Sequence, residues 1–203
     1  MLDPLTGIGS LNYFNYSIKS VFSSPVNSLY YMAYIAYDDK KLQDIYGKDV
    51  SENLQKTAAE RLKAEAASEE YAARIKNGVF AFIYQNSNMA EAKKRIEKLV
   101  ALLNGDMFKI VRGKHIRFCA GLCHMTQVRG LDTDIILNNA KQAYIHAAKN
   151  GVSFVLSTEK LIVTENNKEK LRLKAAKALE NNEFLTYMQF IVDTQTEKIC
   201  GAE

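Results

Sequence analysis

The sequence predicts an α+β domain in which a mostly antiparallel central sheet is surrounded by helices, followed by a C-terminal linker helix and strand. Segments with apolar residues at every third or fourth position alternate with short runs of β-prone residues. Two pairs of those runs flank glycine-containing turns, which is typical of antiparallel hairpins and not of parallel crossovers. The chain has 203 residues, of which 47% are apolar and two are proline, and this is enough to form a buried core.

The first third of the chain contains a helix, a strand and a longer helix. A helix is expected over residues 11–22 because its apolar side chains recur at steps of three and four, and Ser23-Ser24-Pro25 then ends it. Residues 28–37 are continuously apolar and rich in tyrosine, which indicates a strand buried on both faces. In residues 50–67 apolar side chains recur at every fourth position among charges, which predicts a long helix packed on the sheet.

A β-hairpin is expected in the middle of the chain. Residues 71–75 and 79–84 are β-prone runs on either side of Lys76-Asn77-Gly78, and an Asn-Gly pair is one of the stronger hairpin signals.

The next segment predicts a helix and a second antiparallel pair. Residues 89–103 form an amphipathic pattern that Asn104-Gly105 should close. Residues 108–111 and 115–122 are β-prone and should pair through a turn at Gly113.

A last helix and strand complete the predicted sheet, and the composition then changes. A helix over residues 132–148 should stop at Asn150-Gly151 and be followed by a strand over residues 152–156. Beyond these lie a polar stretch, a lysine-rich helical segment and an apolar, strand-like segment, at residues 157–167, 168–179 and 184–192.

Charge, hydropathy and cysteine content exclude several functions. The net charge is +4, and the basic residues are scattered among acidic ones, so we expect no nucleic-acid partner. The longest nearly uncharged apolar stretch, residues 29–37, is about half of the ~20 residues that span a membrane, so we expect no membrane contact. Three cysteines do not make a disulfide framework, which predicts a cytoplasmic location.

Four landmarks follow one another along residues 1–157: Asp3-Pro4-Leu5-Thr6-Gly7, Tyr46-Gly47, the hairpin at residues 74–80 and the helix–strand unit at residues 132–153. In their order they resemble the GGDEF domain of bacterial diguanylate cyclases. The resemblance implies a nucleotidyl-cyclase-like fold and a place in cyclic di-GMP signalling.

The tail contains three further landmarks, at residues 179–184, at residues 187–193 and at Gly201-Ala202-Glu203. Together they are similar to the beginning of an EAL domain, the cyclic di-GMP phosphodiesterase domain, and Glu203 would match the glutamate that names it. The two resemblances together imply a degenerate GGDEF domain at residues 1–157, a linker and helix at residues 158–183, and the N-terminal fragment of an EAL domain at residues 184–203.

The resemblance also implies that the catalytic residues of a diguanylate cyclase are missing. Condensing two GTP molecules requires carboxylates that hold divalent metal against the triphosphate, and cations for the phosphates. The two aspartates of the family's central strand fall on Ile35 and Tyr37, and its phosphate-binding lysine and arginine fall on Ala148 and Val152. In the signature hairpin the two glycines, the acidic pair and the phenylalanine fall on Lys76, Asn77, Gly78, Val79 and Phe80.

Some polar residues nevertheless lie near the expected site. Asp38 and Asp39 follow the central strand, and we expect both to cap the next helical turn. The family's guanine-reading pair falls on Gln43 and Glu52, which keep hydrogen-bonding capacity, so a remnant nucleotide pocket is an open alternative. The arginine of the family's product-inhibition motif falls on Ala67, so we expect no feedback site there.

Neither the cysteines nor the histidines indicate a metal or catalytic centre. Cys119 and Cys123 would lie ~13 Å apart on a strand, too far for one ion even with His115 and His124 nearby, so we expect buried thiols. His146 has no nucleophile and acidic partner at triad spacing, and we expect it to be structural.

These observations predict a catalytically inactive, regulatory or dimerising GGDEF-like module of a GGDEF–EAL protein, without a cofactor or bound metal. The expected partners are the EAL domain in the same chain and a second copy. The alternative function is a GTP-binding receptor domain that controls the EAL phosphodiesterase.

Overall fold

The computed structural model describes residues 1–24, 26–111, 116–127 and 133–203, with only the backbone for residues 169 and 176. These residues divide into two compact units, Met1–Ile162 and Val163–Glu203. No described helix is long and apolar enough to cross a lipid bilayer.

The first helix and strand form as the sequence predicts. Helix α1 spans Leu11–Phe22, and the Ser10 hydroxyl caps it by accepting a hydrogen bond from the Tyr13 backbone N–H. Strand β1 spans Tyr30–Ala36, and all of its side chains are buried. This complete burial explains why its sequence is apolar without alternation.

Two helices, not one, follow the central strand. Helix α2 spans Asp39–Tyr46 and helix α3 spans Lys48–Glu65. They meet at Gly47, whose φ of 86° is a conformation that only glycine adopts without strain. The long helix predicted over residues 50–67 is therefore confirmed as α3, with earlier ends, and α2 precedes it as a separate element.

The predicted hairpin is confirmed. Strand β2 spans Tyr71–Lys76 and strand β3 spans Val79–Gln85. They pair antiparallel with a register shift between Arg74 and Lys76. Gly78 in the turn has a φ of 66°.

The predicted end of the next helix is wrong, and so is the strand predicted after it. Helix α4 spans Met89–Ile110 and passes through Asn104-Gly105 without a break. The Asn104 side chain does not end the helix, because it bonds both the N–H and the C=O of Phe118, at 2.8 and 3.0 Å. Leu103 and Met107 continue the buried face of the helix. The turn expected at Gly113 lies outside the described residues.

The remaining elements complete a five-stranded sheet. Strand β4 spans Cys119–His124, helix α5 spans Thr133–Asn150 and strand β5 spans Phe154–Leu156. The strand order is β2-β3-β1-β4-β5, and the β4–β5 pair alone is parallel. Strand β4 thus pairs with β1 and β5 and not with residues 108–111. Residue 132, the predicted start of α5, lies outside the described residues, whereas the predicted stop is confirmed.

Side chains of β1 alternate between two apolar cores. Tyr31, Ala33 and Ile35 point toward α3 and α4, and Tyr30, Met32 and Tyr34 point toward α1 and α5. The sheet therefore lies between two helical layers. This arrangement confirms the predicted α+β class with a mostly antiparallel sheet surrounded by helices.

The second unit contains most of helix α6, Glu159–Glu180, and a small hairpin of β6, Phe190–Val192, and β7, Ile199–Ala202. The predicted helix at residues 168–179 is confirmed but begins earlier. The strand predicted over residues 184–192 is reduced to its last three residues. Strand β7 was not predicted. Asp193 stabilises the turn between the two strands by accepting hydrogen bonds from the backbone N–H groups of Gln195 and Thr196.

Candidate functional site

A surface cavity lies in the first unit where β1 ends beside the β2–β3 turn. Its volume is about 530 Å³, within the range of small-molecule sites. Antiparallel pairing of Ala36 with Val79 places the turn next to the end of β1. The side chains that line it come from β1, α2, the hairpin and α5, and they include Tyr34, Tyr37, Asp38, Asp39, Lys40, Gln43, Asp44, Lys76, Asn77, Lys141 and Tyr144.

Asp39 is the most buried carboxylate of this cavity. It is 8% exposed, and its two oxygens accept hydrogen bonds from the Tyr37 hydroxyl at 3.0 Å, the Gln43 amide at 2.6 Å and the Ser51 hydroxyl at 2.5 Å. Burial raises the pKa of Tyr37, and the nearby Asp39 carboxylate raises it further. The Tyr37 phenol therefore stays protonated and remains a donor to Asp39.

The hydrogen-bond network around Asp39 continues to Arg74 of the hairpin. Gln55 donates to Ser51 at 3.0 Å and accepts from Arg74 Nε at 2.7 Å and from the Gly78 N–H at 3.3 Å. The other guanidinium nitrogens of Arg74 donate to Asp3 and Asn77, at 2.9 and 2.6 Å. One arginine thus joins the N-terminal segment, α3 and the hairpin turn.

Asp3 is held as a carboxylate at the far end of this network. Burial acts to raise its pKa, but the hydrogen bonds from Thr6 and Arg74 outweigh burial, and the pKa lies below its usual value of 3.8. Its side chain is 10% exposed and that of Arg74 is 13% exposed, so the ion pair is screened less than one on the surface.

The resemblance maps the family's catalytic carboxylates onto Ile35, Tyr37, Gly78 and Val79, none of which has a carboxylate side chain. Ile35 is fully buried and lies opposite Phe80 of β3 in the antiparallel pair. Tyr37 donates to Asp39. Gly78 forms the turn, and Val79 lies in the core on the α1 and α5 side of the sheet.

The carboxylates that do line the cavity fail to form a metal site. Asp38 caps α2 by accepting from the Lys41 backbone N–H at 3.0 Å, as predicted. The prediction that Asp39 also caps the helix is wrong, because its oxygens face three side-chain donors inside the protein. Among the described residues, no three groups of the types that ligate metals converge. The donor set therefore does not fit the divalent metal that the resemblance implies.

Only one of the two predicted guanine-reading residues reaches the cavity. Gln43 lines it, whereas Glu52 does not and instead forms an ion pair with Lys48 at 3.4 Å. Asp44, which the sequence analysis missed, lines the cavity beside Gln43, and its position next to Gln43 on the same helix could have indicated it. Lys141 and Tyr144 were missed without any sequence signal, since only the packing of α5 on β1 brings them to the site.

Glu70, onto which the resemblance maps the aspartate of the family's product-inhibition motif, forms an internal ion pair with Arg95. Glu70 accepts two hydrogen bonds from Arg95, both at 2.6 Å, and others from the backbone N–H groups of Ala67 and Gln85. Burial acts to raise the pKa of Glu70, but these donors outweigh it and hold the pKa below its usual value. The guanidinium of Arg95 also stacks over Phe82 and Tyr84.

Cys119 and Cys123 are buried thiols, as predicted. Burial raises the pKa of Cys123 to about 12, so it remains a neutral thiol. His124 contacts the Ser28 carbonyl at 2.9 Å. His115 lies outside the described residues, and the structural role expected for His146 stays a prediction.

Comparison with known proteins identifies the family. The family model described as "Diguanylate cyclase, GGDEF domain" matches residues 1–153. The chain therefore belongs to the GGDEF family of cyclic di-GMP signalling.

A relative and two solved structures show how far the similarity extends. The uncharacterized protein sll1895 of Synechocystis sp. (strain ATCC 27184 / PCC 6803 / Kazusa) is 27% identical over 99% of this chain, which spans 30% of that protein. The GGDEF domain of DgcB from Caulobacter crescentus, in complex with c-di-GMP, has a TM-score of 0.63 and 15% identity over 77% of this chain and 91% of its own. The S helix–GGDEF–EAL structure of Vibrio cholerae LapD, bound to c-di-GMP, has a TM-score of 0.65 and 19% identity over 96% of this chain and 45% of its own.

Proposed function

We propose that this GGDEF domain makes no cyclic di-GMP and acts as a regulatory module. The observation that carries the proposal is the set of side chains at the family's metal positions. An isoleucine and a tyrosine replace the two aspartates of the central strand, and a glycine and a valine replace the acidic pair of the hairpin. Phosphoryl transfer in this family needs metal ions to neutralise the triphosphate, and the carboxylates that line the cavity do not converge on a point.

The regulated partner in this proposal is an EAL domain in the same chain. The division into a degenerate GGDEF domain at residues 1–157, a linker and helix at residues 158–183 and an EAL fragment at residues 184–203 is part of the proposal. The coverage of the two solved structures supports it. A structure limited to the GGDEF domain matches 77% of this chain, and one that continues into an EAL domain matches 96%. The additional match must include residues beyond the family match at residues 1–153.

Two experiments test this function. The native sequence after Glu203 should continue into an EAL barrel, and an unrelated sequence there would remove the proposed partner. In the full-length protein, hydrolysis of cyclic di-GMP should change when Arg74→Met disconnects the hairpin from Asp3, while the EAL domain itself is untouched. Equal hydrolysis rates for the folded variant and the wild type would contradict a regulatory role for the GGDEF domain.

A homodimer through the tail is a further part of the proposal. Phe190 and Ile191 of β6 are 63% and 45% exposed, and an exposed apolar strand is a template for pairing with another chain. Sedimentation of this chain should show a larger species than a version truncated after Thr158. If the chain and its truncated version both sediment as monomers, the tail-mediated dimer is contradicted.

The second candidate function is a GTP-binding receptor domain that controls the phosphodiesterase. It is favoured by the cavity itself, which has Gln43 at the expected place and the polar side chain of Asp44 beside it. Calorimetric titration with GTP separates the two functions, because a purely architectural domain does not bind GTP.

A further inference from the structure

The cavity beside the hairpin turn carries cationic side chains in place of a metal site. Lys40 lies in the first turn of α2, Lys76 is the last residue of β2, and Lys141 lies in the middle of α5. Three separate elements therefore each contribute a lysine to one cavity. No described residue forms an ion pair with any of these ammonium groups, whereas Lys48, Lys109 and Lys168 each pair with a carboxylate. Their charge is therefore available to a ligand.

We propose that this cavity binds a phosphate-bearing ligand without a divalent metal, with Lys40, Lys76 and Lys141 supplying the positive charge. The proposal rests on the second candidate function above and deepens it, because it names the chemistry by which that receptor site would hold its ligand. Ammonium groups are strong point-charge binders of phosphate oxygens. A site that compensates phosphate charge with lysines needs no converging carboxylates, in agreement with the absence of such a cluster among the described residues.

The neutral groups of the cavity are donors suited to phosphate oxygens. Burial raises the pKa of Tyr34, and it raises the pKa of Tyr144 to about 12, so both phenols keep their protons. Asn77 accepts from Arg74 through its carbonyl oxygen, which leaves its amide N–H groups to donate. Phosphate oxygens accept hydrogen bonds from such neutral donors as well as from cations.

The carboxylates of the cavity decide where the phosphate lies. Asp38 and Asp39 accept hydrogen bonds from backbone and side-chain donors, and these donors offset part of their negative charge. Asp44 has no hydrogen-bond or ion-pair partner among the described residues, and its charge repels an anion placed next to it. The phosphate therefore binds nearer to Lys76 and Lys141 than to the last turn of α2.

Magnesium provides the sharpest test, because a metal-dependent site and a lysine site respond to it in opposite directions. Magnesium neutralises two of the charges of a triphosphate, so a lysine site binds the metal-free ligand more tightly. Calorimetric titration of the chain with GTP, and separately with inorganic triphosphate, should give affinities about fivefold or more higher in EDTA than in excess Mg²⁺. Both affinities should fall as the salt concentration rises.

Charge reversal in the cavity tests the residues themselves. Lys76→Glu and Lys141→Glu should each weaken binding at least about tenfold. Lys98→Glu, which changes an exposed lysine on α4 outside the cavity, should leave it unchanged. All three side chains are exposed, so the variants should keep the wild-type melting temperature without ligand, which confirms that they fold.

Three results would overturn the proposal: binding that requires Mg²⁺, absence of binding by both GTP and triphosphate, or equal weakening by Lys98→Glu and the cavity variants. None of these binding results shows whether the domain forms cyclic di-GMP. Formation of cyclic di-GMP is measured separately, so failure of this inference is distinguishable from failure of the non-catalytic function.

Discussion

Gly78 is the residue at which the hairpin turn and the buried carboxylate network depend on each other. Its φ is 66°, and a Cβ added there would lie 2.6 Å from Cβ of Asp39 and 3.2 Å from the carbonyl oxygen of Tyr37. Gly78→Ala would therefore introduce two separate costs. One is the left-handed backbone conformation, and the other is a steric overlap that displaces Asp39 from its hydrogen-bond donors.

The two costs can be estimated from their physical origins. A left-handed conformation costs a residue with a Cβ about 1–2 kcal/mol. Overpacking against a well-packed neighbour costs about 1–3 kcal/mol. We therefore expect Gly78→Ala to lower the free energy of unfolding by about 2–5 kcal/mol, which lowers the melting temperature by about 4–20 °C in a protein of this size.

Gly7 provides a matched control for the backbone cost alone. Its φ of 70° is close to that of Gly78, but no heavy atom lies within 4 Å of a Cβ built there. Gly7→Ala should lower the free energy of unfolding by about 1–2 kcal/mol. Urea unfolding of both variants, followed by circular dichroism, measures the difference. Equal destabilisation by the two substitutions, or none by Gly78→Ala, would refute the overlap with Asp39.

Three further substitutions test the helix boundary, the ion pair and the metal position. Gly105→Ala should raise the free energy of unfolding by about 0.5–1 kcal/mol, because Gly105 lies inside α4 with open space around it; destabilisation in urea unfolding would indicate that a glycine-type helix end is present there after all. Glu70→Gln should cost about 1.5–3 kcal/mol at neutral pH, because Arg95 loses a charged acceptor. The lowered pKa of Glu70 makes its contribution complete above the usual value of 4.5 and lost as the pH falls through the folded-state value, so unfolding curves at pH 6.5 and pH 3.5 should show the difference between Glu70→Gln and wild type shrinking in acid; a constant difference would contradict the lowered pKa. Ile35→Asp should form no cyclic di-GMP from GTP, since one carboxylate does not rebuild a site whose parts act together, and it should cost about 3 kcal/mol or more because the position is fully buried; turnover by the folded fraction would show that this reasoning is wrong.

Local sequence signals were sufficient for elements whose ends are set locally. The hairpin follows from Asn77-Gly78, and β1 follows from a run of apolar residues too short for a helix. The end of α4 could not be predicted in this way. Asn104-Gly105 has the composition of a helix stop, but Asn104 bonds to Phe118, fourteen residues away, and tertiary packing overrides the local preference of these two residues.

The candidate site was predictable only in part, for a similar reason. The substitutions at Ile35, Gly78 and Val79 follow from the resemblance to the family. The burial of Asp39 does not, because its donor Ser51 lies twelve residues further along the chain. The approach of Lys141 to the hairpin turn depends on how α5 packs against β1, and no spacing in the sequence contains that information.

The most direct test of the non-catalytic function is the fate of isotopically labelled GTP. The purified chain, at a concentration above that of labelled GTP and with Mg²⁺ or Mn²⁺, is incubated for hours, and the nucleotides are separated by mass. We expect all of the label to remain outside cyclic di-GMP and its linear dinucleotide precursor. Labelled cyclic di-GMP above the level of a protein-free control would contradict the central claim, because it would show that carboxylates other than those lost at the family positions support the chemistry.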